Sequence, residues 1–136
     1  MRALIIPRGA SDPGPLNEVL APFCTVEIAH NSDDALFRFT HGLESGSPYA
    51  IVFFLGIAGM NGVHTALHIR SVESSRNEYP ASTLCLVSDG TLLKETLTSR
   101  FRHGINVFHV DQPLNKADIL TAIGYTAHIW GGSPFK

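Results

Sequence analysis

The chain has 136 residues, of which 44% are hydrophobic and 16% are charged; this composition allows one buried core and excludes a disordered chain. The net charge is only −2, and the basic residues form no cluster, which argues against direct nucleic-acid binding. Because no apolar run reaches the length of a signal peptide or a membrane span, we expect a cytoplasmic protein that makes no membrane contact.

In the first half of the chain, short apolar runs alternate with turn residues and helical patterns. The branched apolar run after Met1 predicts a buried strand, which Pro7 ends. Polar residues 31–34 offer N-cap candidates for a helix. The predicted elements are a strand over 2–6, a helix over 16–21, a strand over 25–29, a helix from these caps to about residue 43, and a central strand over 49–55.

The second half continues the alternation after a glycine-rich loop over residues 56–62. Its predicted elements are a helix over 63–72, a strand over 83–87, a helix over 91–101, a strand over 107–110 and a closing helix over 115–128. Strands that alternate with helices predict right-handed crossovers, which place helices on both faces of one parallel sheet. We expect residues 1–130 to form this α/β domain and residues 131–136 to be a linker or tail.

The two cysteines give a further expectation about the core. Cys24 and Cys85 each lie beside strand-like apolar residues. We expect two buried free thiols rather than a structural disulfide, because disulfides are rare in cytosolic proteins.

The most informative segment is YAIVFFLGIAGMNG at residues 49–62, where the most apolar strand runs into a loop that ends in Gly-Met-Asn-Gly. In this segment the chain resembles the receiver domain of bacterial response regulators, and the resemblance covers residues 2 to about 130. It implies a doubly wound, flavodoxin-like sheet of five parallel strands in the order 2-1-3-4-5 and a role in two-component signalling. Further matches to the family are Ile69-Arg70, Val87-Ser88 and Gln112-Pro113.

An active receiver domain binds Mg²⁺ through two acidic residues after the first strand and an aspartate at the end of the third, which accepts the phosphoryl group. A lysine before a proline and a serine or threonine after the fourth strand contact that group. Matched by motif, these positions are occupied here by Pro7 and Arg8, by Phe54 at the phosphoacceptor position, by Gln112 at the lysine position, and by Ser88, which alone retains its family type.

The resemblance therefore indicates a degenerate receiver domain, or pseudo-receiver. Phe54 has no nucleophilic oxygen, so no aspartyl phosphate can form there. Without the three carboxylates we expect no bound metal and no cofactor. We expect a non-enzymatic module that binds a protein partner or effector domain independently of phosphorylation, either as a lone domain or as the N-terminal regulatory domain of a larger regulator. Arg8 either pairs with Asp89 or Asp111, replacing metal and phosphate, or points into water.

In active receivers, an aromatic residue on the fifth strand acts as a switch, and output passes through that strand and its two flanking helices. Here the switch position falls on His109, or on Phe108 if the extra residue of the following loop is placed later. The apolar residues of the two flanking helices should be mostly core, and any surplus favours a two-fold homodimer. These residues are Leu92, Leu93 and Leu97 on the first helix and Leu120, Ile123 and Ala127 on the second.

A second hypothesis is a small-molecule sensor. The loop at residues 56–59 would cradle the ligand, and Phe53, Phe54 and Phe108 would provide a stacking surface. Against this hypothesis, the glycine spacing matches neither a dinucleotide-binding fingerprint nor a P-loop.

A metal-dependent or hydrolytic enzyme has weaker support. His64 and His68 share one face of a predicted helix, as zinc ligands do, but no third ligand is apparent, and Glu73 is nine residues beyond His64. Ser88 lacks the Gly-x-Ser-x-Gly elbow of a serine hydrolase.

Overall fold

The computed structural model describes residues 1–7, 13–57, 61–76, 79–88, 107–111 and 115–131, and for residues 56–57, 61–63, 88 and 109–111 it describes the backbone alone. The strands in these ranges are β1 (Arg2–Ile6), β2 (Thr25–Ile28), β3 (Ile51–Ile57), β4 (Thr83–Ser88) and β5 (Val107–Asp111). The helices are α1 (Gly14–Leu20), α2 (Ser32–Glu44), α3 (Asn61–Arg76) and α4 (Lys116–Ile129). The helix predicted over residues 91–101 lies outside the described residues.

The five strands form one parallel sheet in the order β2-β1-β3-β4-β5. This order confirms the predicted doubly wound α/β architecture. It also brings the carboxyl ends of all five strands to the same edge of the sheet, where folds of this type carry their functional groups.

Two helices begin at asparagine caps. The Asn31 side chain accepts a hydrogen bond from the Asp34 backbone N–H at 2.8 Å, and Asn115 accepts one from the Asp118 N–H at the same distance. Each cap satisfies a backbone donor that would otherwise lack an intrahelical partner. These contacts confirm the predicted starts of α2 and α4.

Three elements have boundaries that differ by two residues or more from those predicted. Helix α1 begins at Gly14, because Pro15 fits the first turn of a helix, where its missing N–H costs nothing. Strand β3 begins and ends two residues later than its apolar run. Helix α3 extends to Arg76, a full turn beyond the last apolar residue of its periodic pattern. This polar turn is tied down by Arg76, which donates to Glu44 of α2 at 2.8 Å.

Among the described residues, each face of the sheet packs against two helices. One apolar cluster joins the sheet to α2 and α3, and a second joins it to α1 and α4. Consecutive strand residues alternate between the two clusters, because successive side chains of a strand point to opposite faces. Phe53 accordingly packs on the α1/α4 face, whereas Phe54 packs on the α2/α3 face.

The two cysteines are free and buried, as predicted, and burial raises the pKa of both thiols. Cys85 lies in the cluster on the α1/α4 face, and so does Cys24. Among the described residues, no helix combines the length and apolar character needed to cross a bilayer.

At the amino ends of the strands, Arg2 connects three segments of the chain. It donates hydrogen bonds to Glu27 of β2, to the Ser47 carbonyl, and to the Tyr49 hydroxyl at 3.1 Å, and its guanidinium lies 4.2 Å from the centroid of the Tyr49 ring. Glu27 also accepts from Arg38 of α2 at 3.1 Å. Burial and the hydrogen bond with Glu27 raise the pKa of Tyr49 to about 12. This network fixes β1, β2 and the segment before β3 relative to one another.

Candidate functional site at the carboxyl ends of the strands

The candidate site is built on the register of the three central strands. Ile6 of β1 pairs with Phe54 of β3, and Phe54 pairs in turn with Leu86 of β4. The carboxyl end of β1 and the predicted phosphoacceptor position therefore lie side by side.

Phe54 occupies this position as a core residue. Its side chain is only 2% exposed and belongs to the cluster on the α2/α3 face, together with Ile6, Leu86, Ala66 and Ile69. Hydrocarbon therefore surrounds the point where a receiver domain presents a carboxylate to solvent and metal. Burying an ionised carboxylate in such surroundings would be costly without a paired charge.

Strand β3 departs from regular pairing just beyond Phe54. Phe54 pairs with Leu86, but the next registered pair joins Ile57 to Ser88, so three steps along β3 match two along β4. A strand with one extra residue bends and twists locally, and such bulges are frequent beside functional sites. The irregularity explains why the apolar run alone did not predict where β3 ends.

The described residues at the metal-ligand positions of a receiver domain do not fit Mg²⁺. Two of the three positions that hold carboxylates in an active receiver are described: Pro7, half-buried after β1, and Phe54. Neither side chain offers an oxygen, and Mg²⁺ demands oxygen ligands in near-octahedral geometry. Within the described ranges, no group of three or more His, Cys, Asp or Glu side chains is placed to hold a metal ion.

The other predicted pocket residues are located only in part. The backbone of Ser88 ends β4 and pairs with Asp111 of β5, so both stand at the same edge as Phe54. Arg8, Asp89 and Gln112 lie outside the described residues. The pairing of Arg8 with Asp89 or Asp111 therefore stays a prediction.

On the predicted output face, Phe108 packs edge-to-face against Tyr125 of α4, with ring centroids 5.2 Å apart and an interplanar angle of 73°. Such a pair contributes beyond its buried area. Tyr125 was not singled out from the sequence, although it lies on the same helix as the predicted apolar residues. Tyr125 is 36% exposed, so it remains partly accessible to solvent while it packs against Phe108.

The remaining output-face residues divide between core and surface positions. Ile123 is fully buried in the cluster on the α1/α4 face, and Ala127 is buried too, so neither can contact a partner directly. Leu120 is half-buried at the margin of the same cluster. The backbone of His109 pairs with Leu86. Leu92, Leu93 and Leu97 lie outside the described residues.

The stacking surface of the small-molecule hypothesis does not form. Phe53 and Phe54 are both almost completely buried and point to opposite faces of the sheet, so they cannot hold one ligand between or upon them. Phe108 lies on the Phe53 face. The hypothesis treated neighbouring phenylalanines as one surface and overlooked the alternation of side chains along a strand.

The zinc hypothesis is not supported either. His64 and His68 are exposed on α3. Glu73, nine residues beyond His64, is engaged elsewhere: it accepts from Arg70 at 2.7 Å and from the Ser82 backbone N–H at 2.6 Å.

Comparisons with known proteins give structural matches alone. No family model matches the chain, and no curated protein matches it by sequence. The BeF3-activated receiver domain of DrrB superposes with a TM-score of 0.63 at 15% identity, covering 93% of this chain and 97% of the other. Response regulator RPA3017 of R. palustris, from red light signalling, gives a TM-score of 0.55 at 20% identity, covering 96% and 94%. A fusion protein that carries the trimeric coiled coil of yeast Spc42 gives 0.64 at 16% identity, covering 96% and 79%.

At these identities the matches establish the fold. The chain has the fold of response-regulator receiver domains over nearly its whole length, as its sequence motifs predicted.

Proposed function

We propose that this chain is a receiver-type signalling module that works without phosphorylation, by binding a protein partner or an effector domain, and that catalyses no reaction itself. The receiver fold supports the signalling role. The geometry at the carboxyl ends of the strands supports the loss of phosphorylation.

The burial of Phe54 is the observation that carries this proposal. Phe54 is 2% exposed and lies between Ile6 and Leu86. Its ring occupies the position where an aspartate would have to be accessible to a phosphodonor. Pro7 removes a carboxylate next to it. A pocket with neither nucleophile nor metal ligands at these positions has no means of forming an acyl phosphate.

Titration with beryllofluoride and Mg²⁺ tests this proposal, because beryllofluoride mimics a phosphoryl group bound to an aspartate. We expect no change in the backbone amide signals of Phe54, of Ser88 and of the residues next to Pro7. The signals of an active receiver domain in the same buffer should shift. Saturable shifts clustered around these residues would overturn the proposal.

We further propose that output runs through the surface formed by β5 and α4. Tyr125, which is 36% exposed and packs against Phe108, is the aromatic residue described on this surface that a partner could contact. If this surface forms a two-fold homodimer, Tyr125→Arg should shift the sedimentation coefficient to that of a monomer. Phe37→Arg is the matched control, because Phe37 is 70% exposed on α2, which packs on the other face of the sheet. Equal behaviour of both variants and the parent would exclude this dimer.

Residues 1–130 are proposed to act as one regulatory domain in the cytoplasm. A single sheet unites the described strands, and both cysteines are free and buried, as is usual in a reducing compartment.

A further inference from the structure

A groove opens at the end of the sheet opposite the candidate site. It is a cavity of about 440 Å³ at the amino ends of the strands, beside the end of α4. Its largely apolar wall includes Met1, Pro48, Ala50, Tyr79, Ala127 and Trp130. Arg2 also lines it, but its guanidinium is already held by Glu27 and Tyr49, so the groove offers no unpaired charge there.

Two apolar residues in the wall of this groove are partly exposed to solvent. Met1 is 38% exposed and Tyr79 is 36% exposed. The Tyr79 ring lies parallel to that of Trp130, with centroids 6.2 Å apart and an interplanar angle of 10°. An exposed apolar surface of this kind commonly marks a contact site.

The chain itself leaves α4 at this wall. Trp130 is the C-cap residue, and Gly131 follows in the left-handed region with φ of +74°, its N–H directed at the His128 carbonyl. A left-handed glycine after a helix turns the chain away from the helix axis. The tail therefore starts next to a residue that lines the groove.

The tail has the composition and the reach to fill this groove. Residues 132–136 read Gly-Ser-Pro-Phe-Lys and lie outside the described part of the chain. From Gly131 to Phe135, four extended residues span about 13 Å, which exceeds the width of a cavity of this volume. Pro134 and Phe135 are adjacent apolar residues, and proline-containing segments pack well in aromatic-lined grooves because little backbone freedom is lost.

We propose that this groove is the docking site of the chain's own tail, residues 132–136, with Phe135 packed against Tyr79 and Trp130. The short tether from Gly131 gives the tail a high effective concentration at the groove, which favours docking within one molecule over docking between two. This contact is independent of the pocket at the other edge of the sheet and does not rest on the proposed function.

Trp130 provides the readout, because it is the single tryptophan of the chain. The full-length parent is compared with Phe135→Ala and with Lys136→Ala, a control that changes the tail but leaves its apolar pair intact. For Phe135→Ala we expect emission shifted to longer wavelength and stronger quenching by acrylamide, because the Trp130 ring becomes more accessible to water. Lys136→Ala should match the parent. Circular dichroism confirms that each variant is folded, and Phe135→Leu should retain most of the protection.

Two results would overturn the proposal. Folded Phe135→Ala with the same emission and quenching as the parent would show that Phe135 does not cover Trp130. Protection that disappears when the parent is diluted would show that a second copy, and not the chain's own tail, fills the groove. Protection that is independent of concentration and abolished by Phe135→Ala supports it.

Discussion

Replacing Phe54 by aspartate places a carboxylate at the position where an active receiver domain is phosphorylated. The site that would receive it is apolar on every described side, between Ile6 and Leu86 and beneath α2 and α3. Phe54→Asp therefore measures directly whether this pocket still tolerates the group that receiver chemistry needs.

The expected cost has two parts. Truncating a buried phenylalanine typically costs about 3–5 kcal/mol, through lost burial and the cavity left behind. In a domain whose total stability is roughly 5–15 kcal/mol, this alone is a large fraction, and it lowers the melting temperature by on the order of 10–20 °C. Ionisation of the new carboxyl adds to the cost, because burial raises its pKa in the folded state above the value of about 3.9 in the unfolded chain.

That second part depends on pH. A folded-state pKa above the unfolded one means that the folded protein binds more protons, so the stability of Phe54→Asp should fall as pH rises above about 4. Phe54→Asn is the matched control: it has nearly the same shape and should lose a similar amount of stability, but with no added pH dependence relative to the parent.

Urea unfolding of the parent and both variants at several pH values between 4 and 8 measures these differences. The reasoning would be refuted if Phe54→Asp lost less than about 1 kcal/mol at pH 7, within the range of ordinary surface substitutions. In that case the carboxylate would be solvated, and the pocket would be open enough for receiver chemistry.

Three further predictions concern contacts that hold the fold. Partial burial raises the pKa of Glu27, but hydrogen bonds from Arg2 and Tyr49 outweigh it, so the net pKa is lowered. Glu27 therefore stabilises the fold above its unfolded pKa of about 4.3 and loses this contribution as pH falls through the lower folded value. In urea unfolding, Glu27→Gln should flatten the fall of stability between about pH 5 and 3, and equal slopes for the two proteins would contradict this. The buried Thr126 hydroxyl lies 2.6 Å from the Thr83 hydroxyl and 2.7 Å from the Ala122 carbonyl oxygen. Thr126→Val should therefore cost about 1–3 kcal/mol of stability, because the Thr83 hydroxyl loses its partner, and adding Thr83→Val should recover part of that loss. Strictly additive losses would argue against a hydrogen bond between the two hydroxyls. Asn31→Ala should cost about 1 kcal/mol through the lost cap of α2, whereas Asn31→Asp keeps the acceptor and should cost little.

Much of the fold was accessible from the sequence because its signals are local. The buried strands are short apolar runs, and the asparagine caps precede their helices by one residue. The parallel order followed from the alternation of strands and helices together with the motif at residues 49–62. The carboxyl end of β3 was not accessible, because the irregularity after Phe54 depends on pairing with β4 and leaves no compositional mark.

The candidate site was accessible at Phe54 and less so elsewhere. Phe54 lies eight positions before Gly62, and this spacing alone predicted it as the phosphoacceptor position. The contact of Phe108 with Tyr125 joins residues far apart in the sequence, and so does the network of Arg2 with Glu27 and Tyr49. The sequence signal for the Arg2 network was one charged residue in each of two short apolar strands, Arg2 in β1 and Glu27 in β2.

The central claim is that this receiver fold does not form an aspartyl phosphate. Its most direct test is incubation of the unmodified protein with acetyl phosphate and Mg²⁺, followed by intact mass analysis, with an active receiver domain as the positive control. The account predicts an unchanged mass for this chain. A mass increase of one phosphoryl group, removable by hydroxylamine and mapped to an aspartate at the carboxyl ends of the strands, would contradict it.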